Sequence, residues 1–242
     1  MLTFLRKIRK SLIDSGSKRK YLLYALGEIA LVVIGILIAL QINNWNEKSK
    51  TDQYKLRLLQ GLSNSIQNDL HDWNYILSQN HEGDSSYCVI VIFLENSLPY
   101  SKSLNRDFHK ALRGWYHELN ITAFETIKGY GLNFIESQKT VDHISDMYER
   151  WHKIYAKTNE NRNAFYNSVA GPYLFDHFKR RIGESGSEFV PIDPTELIDD
   201  HKFRSILEQQ QIFRKAMIRW QEQILGDMHD SIELLEIEMK RY

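Results

Sequence analysis

The sequence predicts an all-α protein, with an N-terminal transmembrane helix followed by an extracytoplasmic up-and-down helical bundle. Three observations predict it. One long apolar run, Tyr21–Ile42, follows a cluster of basic residues near the N-terminus. Beyond it, apolar residues recur three and four positions apart over long segments, the period of a helix with one buried face. The chain has four prolines in 242 residues, and few segments read as strands.

As a helix at 1.5 Å per residue, Tyr21–Ile42 would be about 33 Å long, enough to cross a hydrocarbon layer of about 30 Å. Ile29–Leu40 carries no charge. Tyr21 and Tyr24 at one end and Trp45 at the other are amphipathic rings suited to the headgroup level. After the apolar core comes Leu40-Gln41-Ile42-Asn43-Asn44-Trp45, with none of the small-x-small pattern of a cleaved signal peptide. The run therefore reads as an uncleaved signal-anchor. Arg6, Lys7, Arg9, Lys10, Lys18, Arg19 and Lys20 precede it, and Lys48, Lys50, Lys55 and Arg57 follow. This bias places the N-terminus in the cytoplasm and the bulk of the chain outside. The expected divisions are 1–20 as a basic cytoplasmic segment, 21–42 as the membrane helix and 43–242 as the extracytoplasmic domain.

Two features of this region have two readings each. Leu2, Leu5, Ile8 and Leu12 share a helical face among the basic residues, as in an amphipathic helix on an anionic leaflet. They also fit a plain positive flank. Glu28 lies within the run, on the cytoplasmic side, with Gly35 and Ala39 on its helical face. Gly35-x-x-x-Ala39 is a small-xxx-small pattern that permits close helix approach. One reading is a self-associating helix with Glu28 in the seam. The other is an interfacial glutamate that snorkels, pairs with Lys18, Arg19 or Lys20, or is protonated.

Leu59, Leu62, Ile66, Leu70, Trp73 and Leu77 mark the next amphipathic helix, which Gly83-Asp84-Ser85-Ser86 is expected to break. Tyr87–Leu94 is rich in β-branched residues, but no second strand-like run exists to pair with it. It reads as a helix buried on most sides, with Cys88, the only cysteine, as a buried thiol. Leu104, Phe108, Ala111, Leu112 and Trp115 mark another helix. Thr122–Ser137, with Gly129 and Gly131, is irregular. The rhythm returns with Val141, Ile144, Tyr148, Trp151, Tyr155, Phe165 and Val169, and Gly171-Pro172 should end or kink that helix. Gly183–Pro194 reads as a loop. The last helix runs from Phe203 and Ile206 through Met217, Ile224, Met228 and Leu235 to Met239 and Tyr242, with Asp199 or Asp200 as its N-cap.

Net charge is zero and no basic stripe is present, which disfavours nucleic acid as a partner. Seven of the nine histidines adjoin acids, among them His71-Asp72, His81-Glu82, His117-Glu118, Asp142-His143, Asp200-His201 and His229-Asp230. Adjacent helical residues point about 100° apart, whereas a helical metal site needs ligands at i and i+3 or i+4. Asp142 and His143 with Asp146 come nearest. Phosphate-loop, dinucleotide and nucleophile-elbow motifs are absent. The sequence offers no catalytic, cofactor-binding or metal residue. Asn120-Ile121-Thr122 fits a glycosylation sequon, relevant only in a eukaryotic secretory route.

Tyr24–Glu47, YALGEIALVVIGILIALQINNWNE, resembles a run of an uncharacterised family of Bacteroidota membrane proteins, the domain of unknown function 6090. FLRKIRKSL and KRKYLL before it look like the same block. Thr122–Glu149 is similar to a second block of that family, with Gly131-Leu132-Asn133-Phe134-Ile135 at its centre. The resemblance implies a single-pass inner-membrane protein with a helical exported domain, and no activity. The expected function is thus an interaction, scaffold or sensor-like module, with the lipid bilayer and a second copy or another membrane or periplasmic protein as partners. The rival is an exported hydrolase or metalloenzyme with a His/Asp/Glu site that sequence does not reveal.

Overall fold

A computed structural model of the chain describes residues 18–183 and 186–242. The Leu2, Leu5, Ile8 and Leu12 face lies outside the described residues, as does the Tyr21 side chain. The elements are helix α1 (Lys18–Glu95), α2 (Leu104–Leu112), α3 (Thr122–Tyr130), a 3-10 turn (Leu132–Phe134), α4 (Gln138–Ser145), a π-helical stretch (Asp146–Trp151), α5 (His152–Phe165), a second π stretch (Tyr166–Ala170), α6 (Gly171–His177), strands β1 (Phe178–Gly183) and β2 (Gly186–Pro191), α7 (Glu196–Asp199) and α8 (His201–Met239). The helical class holds, with one two-stranded sheet added to it.

The chain divides into two units, residues 1–55 and 56–242. In the first, α1 contains an apolar stretch long enough to cross a membrane, and none of that stretch is buried in the protein. It is therefore not the core helix of a soluble domain. Glu28, Gly35 and Ala39 are exposed, and a Cβ added to Gly35 would meet nothing within 4 Å. Trp45 is exposed and Tyr24 half-buried.

In the second unit, α1 and α8 pair in antiparallel order. Asn80 meets Gln221, Asp84 meets Gln211, and Arg204 meets the Leu94 carbonyl. Two hydrophobic cores lie along this pair. One gathers Leu59, Leu62, Ile66 and Trp73 of α1 with Phe124, Tyr148, Tyr155 and Met217 to Leu235. The other gathers Ile90, Phe93 and Leu94 with Phe108, Phe178, Phe189, Phe203 and Ile206.

Between them the buried face turns polar on both helices, with Asn80, Gly83 and Ser86 on α1 and Gln210, Gln211, Arg214 and Gln221 on α8. This layer corrects the expected break at Gly83–Ser86, because α1 runs straight through it. The Ser86 hydroxyl donates to Asp107 Oδ1 at 2.7 Å, and Ser85 donates back to the His81 carbonyl at 3.2 Å. Gly83 is required by close approach. A Cβ there would lie 2.7 Å from Arg214 Nε and 2.9 Å from the Lys110 carbonyl.

Three further expectations change in whole or in part, and one, the N-cap of α8, is narrowed to a single residue. Tyr87–Leu94 is helical, but only partly buried, since Val89 and Ile92 are exposed and so is the Cys88 thiol. Gly171-Pro172, expected to end or kink its helix, does not end it, and the regular α-helix is interrupted just before it by the π stretch Tyr166–Ala170. The Gly171 N–H donates to the Tyr166 carbonyl five residues back, and the widened π turn relieves the clash a proline ring makes inside an α-helix. Of the two candidate N-caps for α8, Asp200 serves, accepting from Lys202 N at 2.7 Å and Phe203 N at 3.0 Å. The expected loop over Gly183–Pro194 contains β2, paired antiparallel with β1 from Phe178↔Pro191 to Gly183↔Gly186. A lone hairpin is marginal in water. Here Phe178 packs on Phe108 and Phe203, and Phe189 on Phe178 and His109.

Candidate anion-binding pocket

The corner after α2 is held from two sides. Asn80 Nδ2 donates to the Trp115 carbonyl at 3.2 Å, and the Trp115 N–H donates to Asn80 Oδ1 at 3.1 Å. Arg214 donates through Nη2 to the carbonyls of Lys110 (3.0 Å), Ala111 (2.5 Å) and Arg113 (3.1 Å), and through Nη1 to Gln211 Oε1 at 2.7 Å. These are carbonyls that a helix end leaves without partners. Arg113 and Gly114 are thereby fixed at a corner that opens on the last turn of α5.

Arg162 lies in that turn. It is 9% exposed, and its guanidinium rests directly on Gly114, where any Cβ would collide with Nη1 and Cζ. Among the described residues, its one side-chain hydrogen bond runs from Nη2 to Asn163 Oδ1 at 3.3 Å, and Nη1 is buried without a partner. Gln210 on α8 is 2% exposed, and its Nε2 also has no partner. With His109 of α2, Arg113, Tyr166, Arg180 of β1 and Phe189 of β2, these residues line a cavity of about 260 Å³.

The electrostatics are one-sided. Among the described residues, none of Arg113, Arg162 and Arg180 has an ion pair with a carboxylate. Burial pushes the Arg162 guanidinium below its ordinary range. Tyr155 opposes that shift and Arg113 adds to it. Burial, with Arg113, Arg180 and Lys110, lowers His109 to about 4, so the imidazole is neutral at neutral pH and adds no charge. Leaving a buried cation and a buried amide donor unpaired costs several kcal/mol. Planar guanidinium donors match carboxylate and phosphate oxygens. The cavity thus gathers guanidinium donors with no carboxylate in its lining, which an anion would complete.

The histidine–acid pairs of the sequence come apart. His81 Nε2 faces Glu222 at 3.6 Å, while Glu82 pairs with Lys110 at 2.5 Å. His117 faces Asp72 at 3.9 Å. His143 faces Asp227 and Asp230 at 3.8 and 3.9 Å, while Asp142 accepts from Gln138. Asp200 caps α8 and accepts from the Tyr173 hydroxyl at 2.6 Å. Among the described residues, no group of three or more His, Cys, Asp or Glu is placed to hold a metal. Glu28, Gly35 and Ala39 belong to the first unit and do not line this cavity.

Sequence reasoning missed the pocket because its arginines come from three distant segments. A weak signal existed. Arg162 follows Tyr148 and Tyr155 at intervals of seven, in phase with a buried stripe.

Residues 28–102 match a family described as "Family of unknown function (DUF6090)". The match covers less than half of the chain. It takes in the apolar run from Glu28 onward and continues to Lys102, but excludes the basic block before the run, the Thr122–Glu149 block and the three pocket arginines. No curated protein and no solved structure matches the chain.

Proposed function

We propose that the chain is a single-pass inner-membrane protein whose residues 56–242 form a sensor-like binding domain for an anionic group. Arg162 carries the reading. It is a buried guanidinium with an unpartnered Nη1, and no carboxylate acts on it. The exposed apolar stretch of α1 and the basic residues before it support anchorage with the N-terminus in the cytoplasm. The exposed Glu28, Gly35 and Ala39 face supports pairing with a second copy or with another membrane helix.

Binding rather than catalysis suits the pocket. Its lining has no serine, cysteine or carboxylate beside His109, so no activated nucleophile is assembled there. Titration calorimetry on the full chain in phosphatidylcholine nanodiscs, with inorganic phosphate and acetate, tests the binding. Saturable heat is expected from the native protein, and its loss in Arg162→Gln. Equal heats from both proteins would sink the reading. A reporter fused after Tyr242 tests orientation, and a cytoplasmic signal would reverse it.

A further inference from the structure

A second cavity adjoins the first. It has a volume of about 480 Å³ and shares Tyr166, Arg180 and Phe189 with it. Away from that shared edge its walls turn apolar, with Leu174, Phe175 and Phe178, while Lys179 adds a further cation. Phe175, on α6 next to the buried Leu174, is 86% exposed. Gly171 contributes no side chain to the cavity it lines. Guanidinium donors without a carboxylate partner thus stand beside an exposed apolar side chain. Ligand sites combine these two elements, a few placed polar groups and a larger apolar wall.

We infer that the two cavities form one site for a single-chain amphipathic anion, a carboxylate or phosphate monoester bearing an alkyl chain. The head sits among Arg162, Arg113 and Arg180, and the chain lies over Leu174, Phe175 and Phe178. Arg180 at the shared edge meets the junction of head and chain. This rests on the anion-binding reading of the first cavity and adds the apolar part of the ligand. A bare inorganic anion would leave the second cavity and Phe175 unused, and a neutral apolar molecule would leave Arg162 unpaired.

The test is chain-length dependence, with probes short enough to stay monomeric in water. The full chain in phosphatidylcholine nanodiscs is titrated with acetate, butanoate, hexanoate and octanoate, and with phosphate, butyl phosphate and hexyl phosphate. Empty nanodiscs are subtracted. Affinity should rise roughly two- to fourfold per added methylene, as burial of one CH2 implies. Phe175→Ser, a change at an exposed position, should flatten that slope and leave acetate and phosphate binding intact. Arg162→Gln and, at the exposed shared edge, Arg180→Gln should weaken every member of both series. Short anions that bind through Arg162 with no rise along the series would overturn the amphipathic ligand and leave the anion site standing. A slope that survives Phe175→Ser unchanged would also overturn it. No Arg162-dependent binding of any probe would overturn both readings.

Discussion

Two arginines are buried in the second unit, and they are buried differently. Arg214, 2% exposed, donates to three main-chain carbonyls at the end of α2 and to Gln211. Burial pushes its guanidinium down to about 10, with Asp84 opposing the shift and Arg162 adding to it. Its charge lies against the negative end of a helix. Arg162, 9% exposed, has one side-chain acceptor and an open cavity in front of it. Burial alone does not mark a functional cation. Arg214 too leaves one buried atom, Nε, without a partner, so what separates the strut from the site is how many acceptors the protein itself supplies.

The largest expected effect is on the strut. Arg214→Leu strands the α2 carbonyls in the polar layer between the two cores. It should cost about 3 kcal/mol of stability, or roughly 8 °C in the unfolding midpoint, followed by far-ultraviolet circular dichroism. Arg214→Lys should recover little, because an ammonium cannot span the same set of acceptors. Arg162→Met should do the opposite. Removing an unpaired buried charge should leave stability unchanged or raise it by about 1 kcal/mol, while calorimetry shows at least tenfold weaker phosphate binding. Equal destabilisation by both changes would erase the distinction.

A smaller effect is expected at the corner. In Gly114→Ala the new Cβ occupies the place of the Arg162 guanidinium. Phosphate affinity should fall several-fold, while the circular dichroism spectrum stays native. The smallest effect is on pH dependence. The folded pKa of His109, at about 4, lies below its ordinary 6.5, so the unfolded chain takes up the proton first. The contribution is complete above about pH 6.5 and is lost as pH falls toward 4. An anion that offsets Arg113 and Arg180 should lessen that loss. Thermal melts between pH 7 and 4.5, with and without phosphate, read it, and His109→Asn should remove the phosphate-sensitive part.

Spacing alone revealed the long apolar run and the course of α8, because both are local patterns. A cap needs only the next turn, so an acid just before α8 could be read as its N-cap, with Asp200 doing the capping. Gly83–Ser86 misled because glycine and serine favour a break when nothing else is near. Arg214, Asp107 and Gln211 supply the missing contacts from more than twenty residues away. The hairpin was missed for a similar reason. Its glycine- and proline-rich composition suits a loop until Phe178 and Phe189 find Phe108 and Phe203.

The pocket shows the same limit at its sharpest. Tyr148, Tyr155 and Arg162 recur at sevens, but so do Leu207, Arg214 and Gln221. Phase marks both arginines as buried and cannot tell them apart.

By itself, the sequence determined an all-helical class, an apolar helix of membrane length near the N-terminus and the registers of the amphipathic helices. Each follows from the chemistry of residues within a turn or two of one another. Only the tertiary structure decided that α1 runs unbroken through a polar layer, that Arg214 is tied to the end of α2 and that Arg162 faces a cavity. A hydrogen-bond acceptor, or its absence, is brought by a distant part of the chain.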